Sequence, residues 1–255
     1  MEQVRFIGLE VHSAADNMAI DEAILLSLEK EAVPATLRLY RWKPSAVSIG
    51  TFQGMRTEVD VDFCMSHGID IIRRITGGGA VYHDYKGEIT YSIILPKGHR
   101  LASGDIQASY GVLCSGIVRA LKHLGIEAEF KQINDVITGG KKISGSAQTR
   151  RHSCVLQHGT TLLDLDVITM FSILRVPQQK ISDKMIRDVR ERVTSIHDIL
   201  GERVGFKDLS KALAMGFSEA LEVELVSGKL TKQEKMDASR LAKQKYSSDA
   251  WNFLR

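Results

Sequence analysis

The sequence contains the stretch RRITGGGAVYHD at Arg73–Asp84, which follows the strand-like segment Ile69–Arg73 and includes another, Ala80–Tyr82. Three consecutive glycines allow a backbone to approach a ligand closely and to expose its N–H groups. The two arginines before them suit an anion such as phosphate, although a hairpin turn flanked by surface charges has the same pattern. The surrounding sequence lacks both a Gly-Lys-Ser/Thr phosphate loop and a GxGxxG motif, so neither of those nucleotide-binding folds is indicated.

A β-hairpin is predicted at the glycine pair in positions 139 and 140, between the strand-like runs Val136–Thr138 and Lys141–Ser144. Because side chains alternate along a strand, its two faces are expected to differ: Lys142, Ser144 and Ser146 on one, and Lys141, Ile143 and Ala147 on the other. A lysine flanked by two serines could bind a phosphate or a carboxylate. A solvated sheet face would show the same alternation.

Two shorter motifs carry further candidate residues. The motif QHGT at Gln157–Thr160 places His158 beside Gly159, where a histidine could act as a base or contact a ligand; such a histidine is also common as a packing residue. The pair Asn134-Asp135 could supply a magnesium ligand through Asp135, although Asn-Asp pairs are typical of turns.

The pattern along the chain predicts an α+β fold, with a mixed, largely antiparallel sheet and packed helices, in one domain spanning residues 1–255. From about Asp166 the sequence becomes mainly helical. Strands are predicted at Arg5–Val11, Thr36–Tyr40, Ala46–Gly50, Glu88–Leu95, Cys154–Gln157 and Thr160–Asp164. Helices are predicted from Asp16 onward and at Val59–Ser66, Asp105–Leu124, Ser182–Val193, Phe206–Leu225 and Thr231–Tyr246.

The composition, 44% hydrophobic and 25% charged residues, lies outside the range of disordered proteins. A net charge of +3 is too small to argue for nucleic acid. Three widely spaced cysteines, Cys64, Cys114 and Cys154, form no zinc motif or disulfide framework. The first residues do not read as a signal peptide, and no apolar run is long enough to span a bilayer. We therefore expect a cytoplasmic protein that binds neither nucleic acid nor membrane.

Taken together, the motifs resemble those of the lipoate–protein ligase family and its relatives, the octanoyltransferases and biotin ligases. They occur in the family's order: NMAIDEA at Asn17–Ala23, SIGTFQ at Ser48–Gln53, RRITGGGAVYHD at Arg73–Asp84, IND at Ile133–Asp135, GKKISGSAQTR at Gly140–Arg150 and QHGTTLLDLD at Gln157–Asp166. The ending KYSSDAWNF is also similar to that of this family.

The resemblance implies a fold related to class II aminoacyl-tRNA synthetases and biotin ligases. It further implies an enzyme that activates lipoate with ATP and Mg²⁺ to lipoyl-AMP and transfers the lipoyl group to a lysine. Lys142 matches the family's key lysine, which contacts the lipoate and the adenylate phosphate, and Asp135 is the candidate Mg²⁺ ligand. The ATP- and lipoate-binding residues would be Arg74, Gly77, Gly78, Gly79, Ala80, Val81, Tyr82, His83, Asn134, Asp135, Lys142, His158 and Gly159.

An octanoyltransferase is the alternative within the same family. Such enzymes move octanoyl from acyl carrier protein through a cysteine thioester and therefore need a nucleophilic cysteine. In the most similar transferases that cysteine lies in the region corresponding to Ala128–Asp135, which reads AEFKQIND in this chain. The ligase is the favoured interpretation for that reason. A lipoate-binding module without catalysis is a second alternative, which the retained Lys142 and arginine-glycine loop disfavour.

The implied partners are the lipoyl domains of 2-oxoacid dehydrogenases or the glycine-cleavage H protein. Longer ligases continue into an accessory domain, whereas this chain resembles the catalytic subunit of archaeal bipartite ligases, so a separate accessory subunit is expected. A basic segment could dock an acidic acceptor or form a solvated helix face; it comprises Lys180, Lys184, Arg187, Arg190 and Arg192.

Overall fold

The computed structural model describes residues 1–102, 104–174, 183–201 and 204–255. Its strands are β1 (Glu2–His12), β2 (Thr36–Trp42), β3 (Ala46–Ile49), β4 (Asp70–Arg73), β5 (Val81–His83), β6 (Glu88–Pro96), β7 (Glu129–Lys131), β8 (Asp135–Thr138), β9 (Lys141–Arg151), β10 (Cys154–Leu162) and β11 (Val223–Ser227). Its α-helices are α1 (Ala14–Glu29), α2 (Met55–Glu58), α3 (Val61–Ser66), α4 (Ile106–His123), α5 (Val167–Ile173), α6 (Asp183–Arg192), α7 (Ile196–Leu200), α8 (Phe206–Leu221), α9 (Lys232–Leu241) and α10 (Asp249–Asn252). A 3₁₀ turn covers Arg100–Ala102, and a π-helical turn, Ala242–Tyr246, extends α9.

Within the described ranges the strands form two sheets. The large sheet has eight strands in the order β11-β1-β2-β6-β10-β9-β8-β7, and the small sheet has three in the order β4-β3-β5. In the large sheet β1 pairs in parallel with β11 and β2, and the other pairs are antiparallel. This architecture confirms the predicted α+β class with a mixed, largely antiparallel sheet.

Strand β6 shows how the two faces of the large sheet differ. One set of alternating residues joins the hydrophobic core beneath α4 and α8: Ile89, Tyr91, Ile93 and Leu95. On the other face Glu88, Thr90 and Ser92 are polar and equally buried. A strand that buries polar groups must supply partners for them, so this second face is the one expected to carry a site.

The second face is covered partly by helices and partly by the small sheet. Helices α1 and α9 pack on it through a separate apolar cluster that includes Ile24, Leu25 and Ala238. Helices α3 and α5 pack against the small sheet around Val47, Ile49 and other apolar residues. The two sheets therefore face each other across the space that the helices leave uncovered.

Two of the predicted helix limits were wrong. The predicted helix Phe206–Leu225 ends at Leu221, because Glu222 adopts a left-handed conformation with φ of 53° and the chain turns into β11. Val223 is then buried in the core beside β1 instead of continuing the helix. Helix α1 is capped by Ser13, whose hydroxyl accepts the Asp16 N–H at 3.2 Å, and not by Asp16.

In the described ranges, no helix combines the length and apolar character needed to cross a membrane. Helices α4 and α8 pack against each other, and apolar residues of both helices enter the same core.

Candidate active site

A cavity of about 300 Å³ lies between the two sheets. The large sheet lines it with Tyr40, Trp42, Glu88, Thr90, His158 and Thr160, and the small sheet lines it with Ser48, Val81, Tyr82 and His83. Strand β9 adds Lys142. A further part of the wall is apolar and consists of Leu162, Leu165, Met170, Leu174 and Val193. An apolar wall beside polar groups suits an organic acid that has an apolar chain.

Most of the residues predicted as site residues meet at this cavity. Those that line it are Arg74, Gly78, Gly79, Ala80, Val81, Tyr82, His83, Asn134, Lys142 and His158. They come from β5, β9 and β10, from the loop after β4 and from the residue before β8, so the sheet topology brings together residues that are distant in sequence.

Lys142 lies at the start of β9, directly after the predicted hairpin turn. Gly139 and Gly140 adopt positive φ angles of 54° and 78°, as a two-residue hairpin requires. The Lys142 ammonium is 2.7 Å from Asp135 Oδ1 on the paired strand, and 40% of its side chain is exposed. A cation on the cavity wall is thus held in place by a carboxylate while it remains accessible to a ligand.

The residues that share a face with Lys142 differ from the predicted ones. Val136 pairs with Ser144 but Ile137 pairs with Lys142, so Ile143 is the extra residue of a β-bulge. A bulge interrupts the regular alternation of side chains. Both Ile143 and Ser144 are consequently buried.

Downstream of the bulge, the face that carries Lys142 continues through Gly145 and Ala147. A Cβ added to Gly145 would lie 2.6 Å from Lys142 Nζ, and one added to Gly78 would lie 3.9 Å from Ala147 Cβ. Ser146 borders the cavity, but its hydroxyl is 2.8 Å from Tyr91 Oη in the opposite core. The predicted face of Lys142, Ser144 and Ser146 is therefore wrong.

Arg74 braces the glycine loop, which we define as Gly77–Ala80. Its Nη2 donates to the carbonyl oxygens of Gly77 at 2.8 Å and Gly79 at 2.7 Å. Its Nη1 donates to both the carbonyl and the hydroxyl of Ser48 at 3.1 Å, and its Nε donates to Thr76 Oγ1 at 3.1 Å. Burial lowers the pKa of Arg74 to about 10, so it stays charged at neutral pH.

These bonds use all five N–H groups of a guanidinium. Arg74 therefore shapes the loop, and its predicted direct contact with an anion stays a prediction. The backbone of the loop and Lys142 are among the groups that can contact a ligand.

Arg73 also faces the protein and not a ligand. Its Nε donates to the Trp251 carbonyl at 2.9 Å and its Nη2 to the Asn252 carbonyl at 3.1 Å. Its Nη1 donates to carbonyls of the SIGTFQ motif, including that of Thr51 at 3.2 Å. Arg73 thus connects the C-terminal helix α10 and the loop after β3 to the strand that precedes the glycine loop.

Three predicted residues do not line the cavity: Gly77, Asp135 and Gly159. Gly77 contributes a carbonyl to Arg74, and Asp135 pairs with Lys142. A Cβ on Gly159 would lie 2.5 Å from Ser146 Oγ and 2.8 Å from the Gly145 carbonyl, so this glycine permits close strand packing.

Within the described part of the chain, no three His, Cys, Asp or Glu side chains cluster as a metal site. Asp135 as a Mg²⁺ ligand stays a prediction.

Sequence reasoning missed several residues of the large sheet. Trp42 donates from Nε1 to Thr90 Oγ1 at 2.7 Å and stacks on His83 with 4.1 Å between ring centroids. Glu88 Oε1 accepts from Thr90 Oγ1 and lies 2.8 Å from His83 Nδ1. The available signal was the alternation EITYS at the start of β6, in which polar residues recur every second position of a strand that is otherwise apolar.

All three cysteines lie in the described part of the chain, and none of them lines the cavity. Burial raises the pKa of the Cys64 thiol to about 11 and raises those of Cys114 and Cys154 as well. Cys114 has its Sγ 3.6 Å from Ser146 Oγ of β9, in the core on the opposite side of the sheet from the cavity. Because a thiolate is the reactive form of cysteine, these buried thiols are poor nucleophiles.

Comparison with known families and sequences gives two kinds of relative. The family model described as "Lipoyl protein ligase A/B catalytic domain" matches residues 13–218. A protein named octanoyltransferase LipM from Kyrpidia tusciae is 38% identical, over 99% of both chains. The protein of the same name from Brevibacillus brevis is 34% identical over the full length of both.

The similar solved structures are named lipoate protein ligases and not octanoyltransferases. A bipartite lipoate protein ligase from Thermoplasma acidophilum, solved in a study that includes its E2 lipoyl domain, has a TM-score of 0.87 at 32% identity, over 99% of this chain and 96% of that one. A lipoate-protein ligase A bound with ATP has a TM-score of 0.85 at 31% identity, over 99% of both. A putative lipoate protein ligase from T. acidophilum with bound lipoic acid has a TM-score of 0.83 at 30% identity, over 99% of this chain and all of that one.

The glycine loop permits a test by two neighbouring substitutions. Gly78 has a φ of 98°, and a Cβ added to it would lie 2.8 Å from Arg74 Nη2. A Cβ added to Gly77 would meet no heavy atom within 4 Å. We expect Gly78→Ala to lower the free energy of unfolding by about 1–2 kcal/mol, the cost of left-handed backbone in a residue with a side chain. Gly77→Ala is the control and should leave it nearly unchanged. Equal effects in urea unfolding would contradict the described loop.

Proposed function

The chain belongs to the lipoyl protein ligase A/B catalytic-domain family, and we propose that it activates a lipoyl or octanoyl acid with ATP and transfers the acyl group to a lysine of an acceptor protein. The observation that carries the ATP-dependent form of this proposal is the placement of the cysteines. A lysine lies on the cavity wall, and no thiol does.

The chemistry follows from the position of Lys142. A carboxylate oxygen of the acid attacks the α-phosphorus of ATP, pyrophosphate leaves, and an acyl-adenylate forms. Negative charge builds on the phosphoryl oxygens, and the ammonium of Lys142 can stabilise it together with backbone N–H groups of the glycine loop. The acceptor lysine, as a free amine, then attacks the acyl carbonyl, forms the amide and expels AMP.

Asp135 fits the Mg²⁺ that such a nucleotide would bring. Mg²⁺ bound to nucleotides commonly uses one or two protein carboxylates together with phosphate oxygens. Asp135 Oδ1 is 2.7 Å from Lys142 Nζ, so its carboxylate is next to the cation that we assign to the phosphate. Asp135 and Lys142 would then share the binding of the phosphates.

Octanoyl transfer without ATP is the second candidate function, and the names of the sequence relatives favour it. That reaction would pass the octanoyl group to a cysteine, and the thioester would be attacked by the acceptor lysine. In this chain the acyl group would have to reach a thiol in one of three buried positions. The transferases' cysteine region, Ala128–Asp135, contains no cysteine. For these reasons we favour the ligase.

The acceptor is proposed to be a lipoyl domain or a similar carrier, because one of the similar ligases was solved in a study that includes its E2 lipoyl domain. That ligase is bipartite, which supports a separate accessory subunit for this chain as well. Of the predicted basic docking segment, Arg187, Arg190 and Arg192 belong to α6 and are exposed. Lys180 and the side chain of Lys184 lie outside the described residues, so acceptor docking by this segment stays a prediction.

Lys142 can be tested against its neighbour. We expect Lys142→Ala to lower the rate of adenylate formation by about a hundred- to a thousandfold, the usual effect of removing one preorganised contact to transition-state charge. Lys141 does not line the cavity, so Lys141→Ala is the control and should retain most activity. Pyrophosphate release from each purified variant, with an accessory subunit present, measures the effect. Equal losses in the two variants would show that Lys142 has no special role.

The requirement for ATP can be tested in a chain without cysteine. We expect a variant with Cys64, Cys114 and Cys154 replaced by alanine to modify the acceptor at a rate within about tenfold of the wild type, provided that it folds, because none of these thiols contacts the cavity. Acceptor mass and pyrophosphate should rise together, with octanoate or lipoate as the free acid and with an accessory subunit present. Transfer from octanoyl-acyl carrier protein without ATP, lost in this variant, would establish the second candidate.

A further inference from the structure

A continuous series of buried contacts leads from the glycine loop to helix α1. Arg74 Nε donates to Thr76 Oγ1 at 3.1 Å, Thr76 Oγ1 is 2.8 Å from His158 Nε2, and His158 Nδ1 is 3.6 Å from Asp21 Oδ2. Thr76 is fully buried, and Asp21 and His158 are almost so. Asp21 belongs to the NMAIDEA motif of α1, so the series connects two of the family's motifs through a third, QHGT.

The first two contacts of this series are hydrogen bonds whose direction follows from the guanidinium at its start. The third, at 3.6 Å, is an electrostatic contact that is too long for a hydrogen bond. An arginine can only donate, so Thr76 Oγ1 accepts from Arg74. The Thr76 oxygen could also accept from His158, but the buried Thr76 proton would then have no acceptor among the described contacts. Donation to His158 Nε2, 2.8 Å away, avoids that cost. His158 Nε2 is then without a proton, and a neutral imidazole carries its proton on Nδ1, the nitrogen that faces Asp21.

We propose that Asp21 and His158 are a positioning pair, in which Asp21 holds neutral His158 in the Nδ1–H tautomer so that Nε2 accepts from Thr76 and keeps Arg74 and the glycine loop in their ligand-binding shape. The effect of this pair on the reaction rests on the proposed function, because that function places the activated acyl group against the glycine loop. Asp21 does not line the cavity and touches no ligand there. It acts on the loop only through His158, Thr76 and Arg74.

The charges around the pair favour a neutral imidazole. Asp21 is already paired with buried Arg38, whose Nη1 donates to its Oδ1 at 3.0 Å. Burial lowers the pKa of His158, and the charges of Arg74 and His83 act in the same direction while Asp21 opposes them. Burial alone would raise the pKa of Asp21, but His158 and Arg38 hold it below its ordinary value. A proton on His158 would add an unpaired charge to this buried set.

A second series of contacts, from Arg74 to Glu88, has similar chemistry. Comparison of the two series shows why the tautomer of His158, and not that of His83, tests the proposal. Arg74 Nη1 donates to Ser48 Oγ, which is 2.8 Å from His83 Nε2, and His83 Nδ1 is 2.8 Å from Glu88. Ser48 lines the cavity, so its hydroxyl can turn its proton toward a ligand. Thr76 does not line the cavity, and the direction of its proton is therefore fixed by the protein.

The tautomer can be observed directly, independently of any activity. A long-range ¹H–¹⁵N correlation spectrum of ¹⁵N-histidine-labelled protein at pH 7 should show His158 with a protonated Nδ1 and an unprotonated Nε2. In Asp21→Asn an amide replaces the carboxylate and can donate to Nδ1, so the population should shift toward the Nε2–H form. A wild-type spectrum of the Nε2–H tautomer or of an imidazolium would overturn the proposal.

The effect on the reaction is tested with two substitutions at His158. His158→Gln keeps a side-chain oxygen that can accept from Thr76, and we expect acceptor modification within about tenfold of the wild type. His158→Leu has no acceptor, and kcat should fall by about a hundredfold, the usual consequence of a small displacement of positioning groups. Ser92→Ala is the control, because it removes the 2.8 Å bond from Ser92 Oγ to the other oxygen of Asp21. It should retain the tautomer and most of the activity.

The pH dependence of the free energy of unfolding gives a second test with the His158 variants. Because the pKa of His158 is lowered in the folded state, the unfolded chain binds its proton first as the pH falls. The stability that neutral His158 provides is present above its unfolded value of about 6.5 and is lost as the pH falls below it. His158→Gln should flatten this loss in urea unfolding.

Equal activity in His158→Gln and His158→Leu would overturn the positioning role. Activity that depends on octanoyl thioester and not on ATP would instead remove the proposed ligase. In that case the tautomer and its effect on the loop would still be read from the spectrum and the unfolding curves.

Discussion

The buried guanidinium of Arg74 is the constraint on which the shape of the site depends. It lies between two sheets and donates to the carbonyls of Ser48, Gly77 and Gly79 and to two hydroxyls. Because each of those acceptors is itself buried or part-buried, removal of the guanidinium would leave several polar groups without partners, which costs about 1–3 kcal/mol for each. A glycine loop that would otherwise be flexible is thereby given one conformation, with its carbonyls turned toward Arg74.

The fixed position of Arg74 explains which groups each sheet contributes to the cavity. The large sheet supplies Lys142 and the buried polar face of β6, and the small sheet supplies the loop that faces them. The Lys142 ammonium stays partly exposed, while Arg73 and Arg74 donate to backbone carbonyls. A site that has a partly exposed cation and backbone N–H groups, and that has no thiol on its wall, fits the phosphoryl transition state of the reaction that we propose.

The sequence was sufficient to predict the elements that depend on local chemistry. The glycine pair before Lys141 predicted the hairpin, because a type I′ turn needs two positive φ angles and glycine adopts them without strain. The apolar alternation predicted the α+β class. The bulge at Ile143 could not be predicted, since nothing in the local sequence marks an extra residue, and it reversed the expected face of Ser144 and Ser146. The role of Arg74 was likewise hidden, because a guanidinium next to glycines has the same sequence whether it meets a phosphate or a carbonyl. Strand β11 was missed because Glu222 adopts a left-handed conformation that is uncommon outside glycine, asparagine and aspartate.

The identity of the activated intermediate tests the central claim most directly. Intact-mass spectrometry of the protein, sampled during turnover with octanoate, ATP, Mg²⁺, acceptor and accessory subunit, separates the two chemistries. The account predicts a chain of unchanged mass, with octanoyl-AMP recovered from the denatured protein in the small-molecule fraction. A chain that gains one octanoyl group on Cys64, Cys114 or Cys154, formed from octanoyl-acyl carrier protein without ATP, would contradict it.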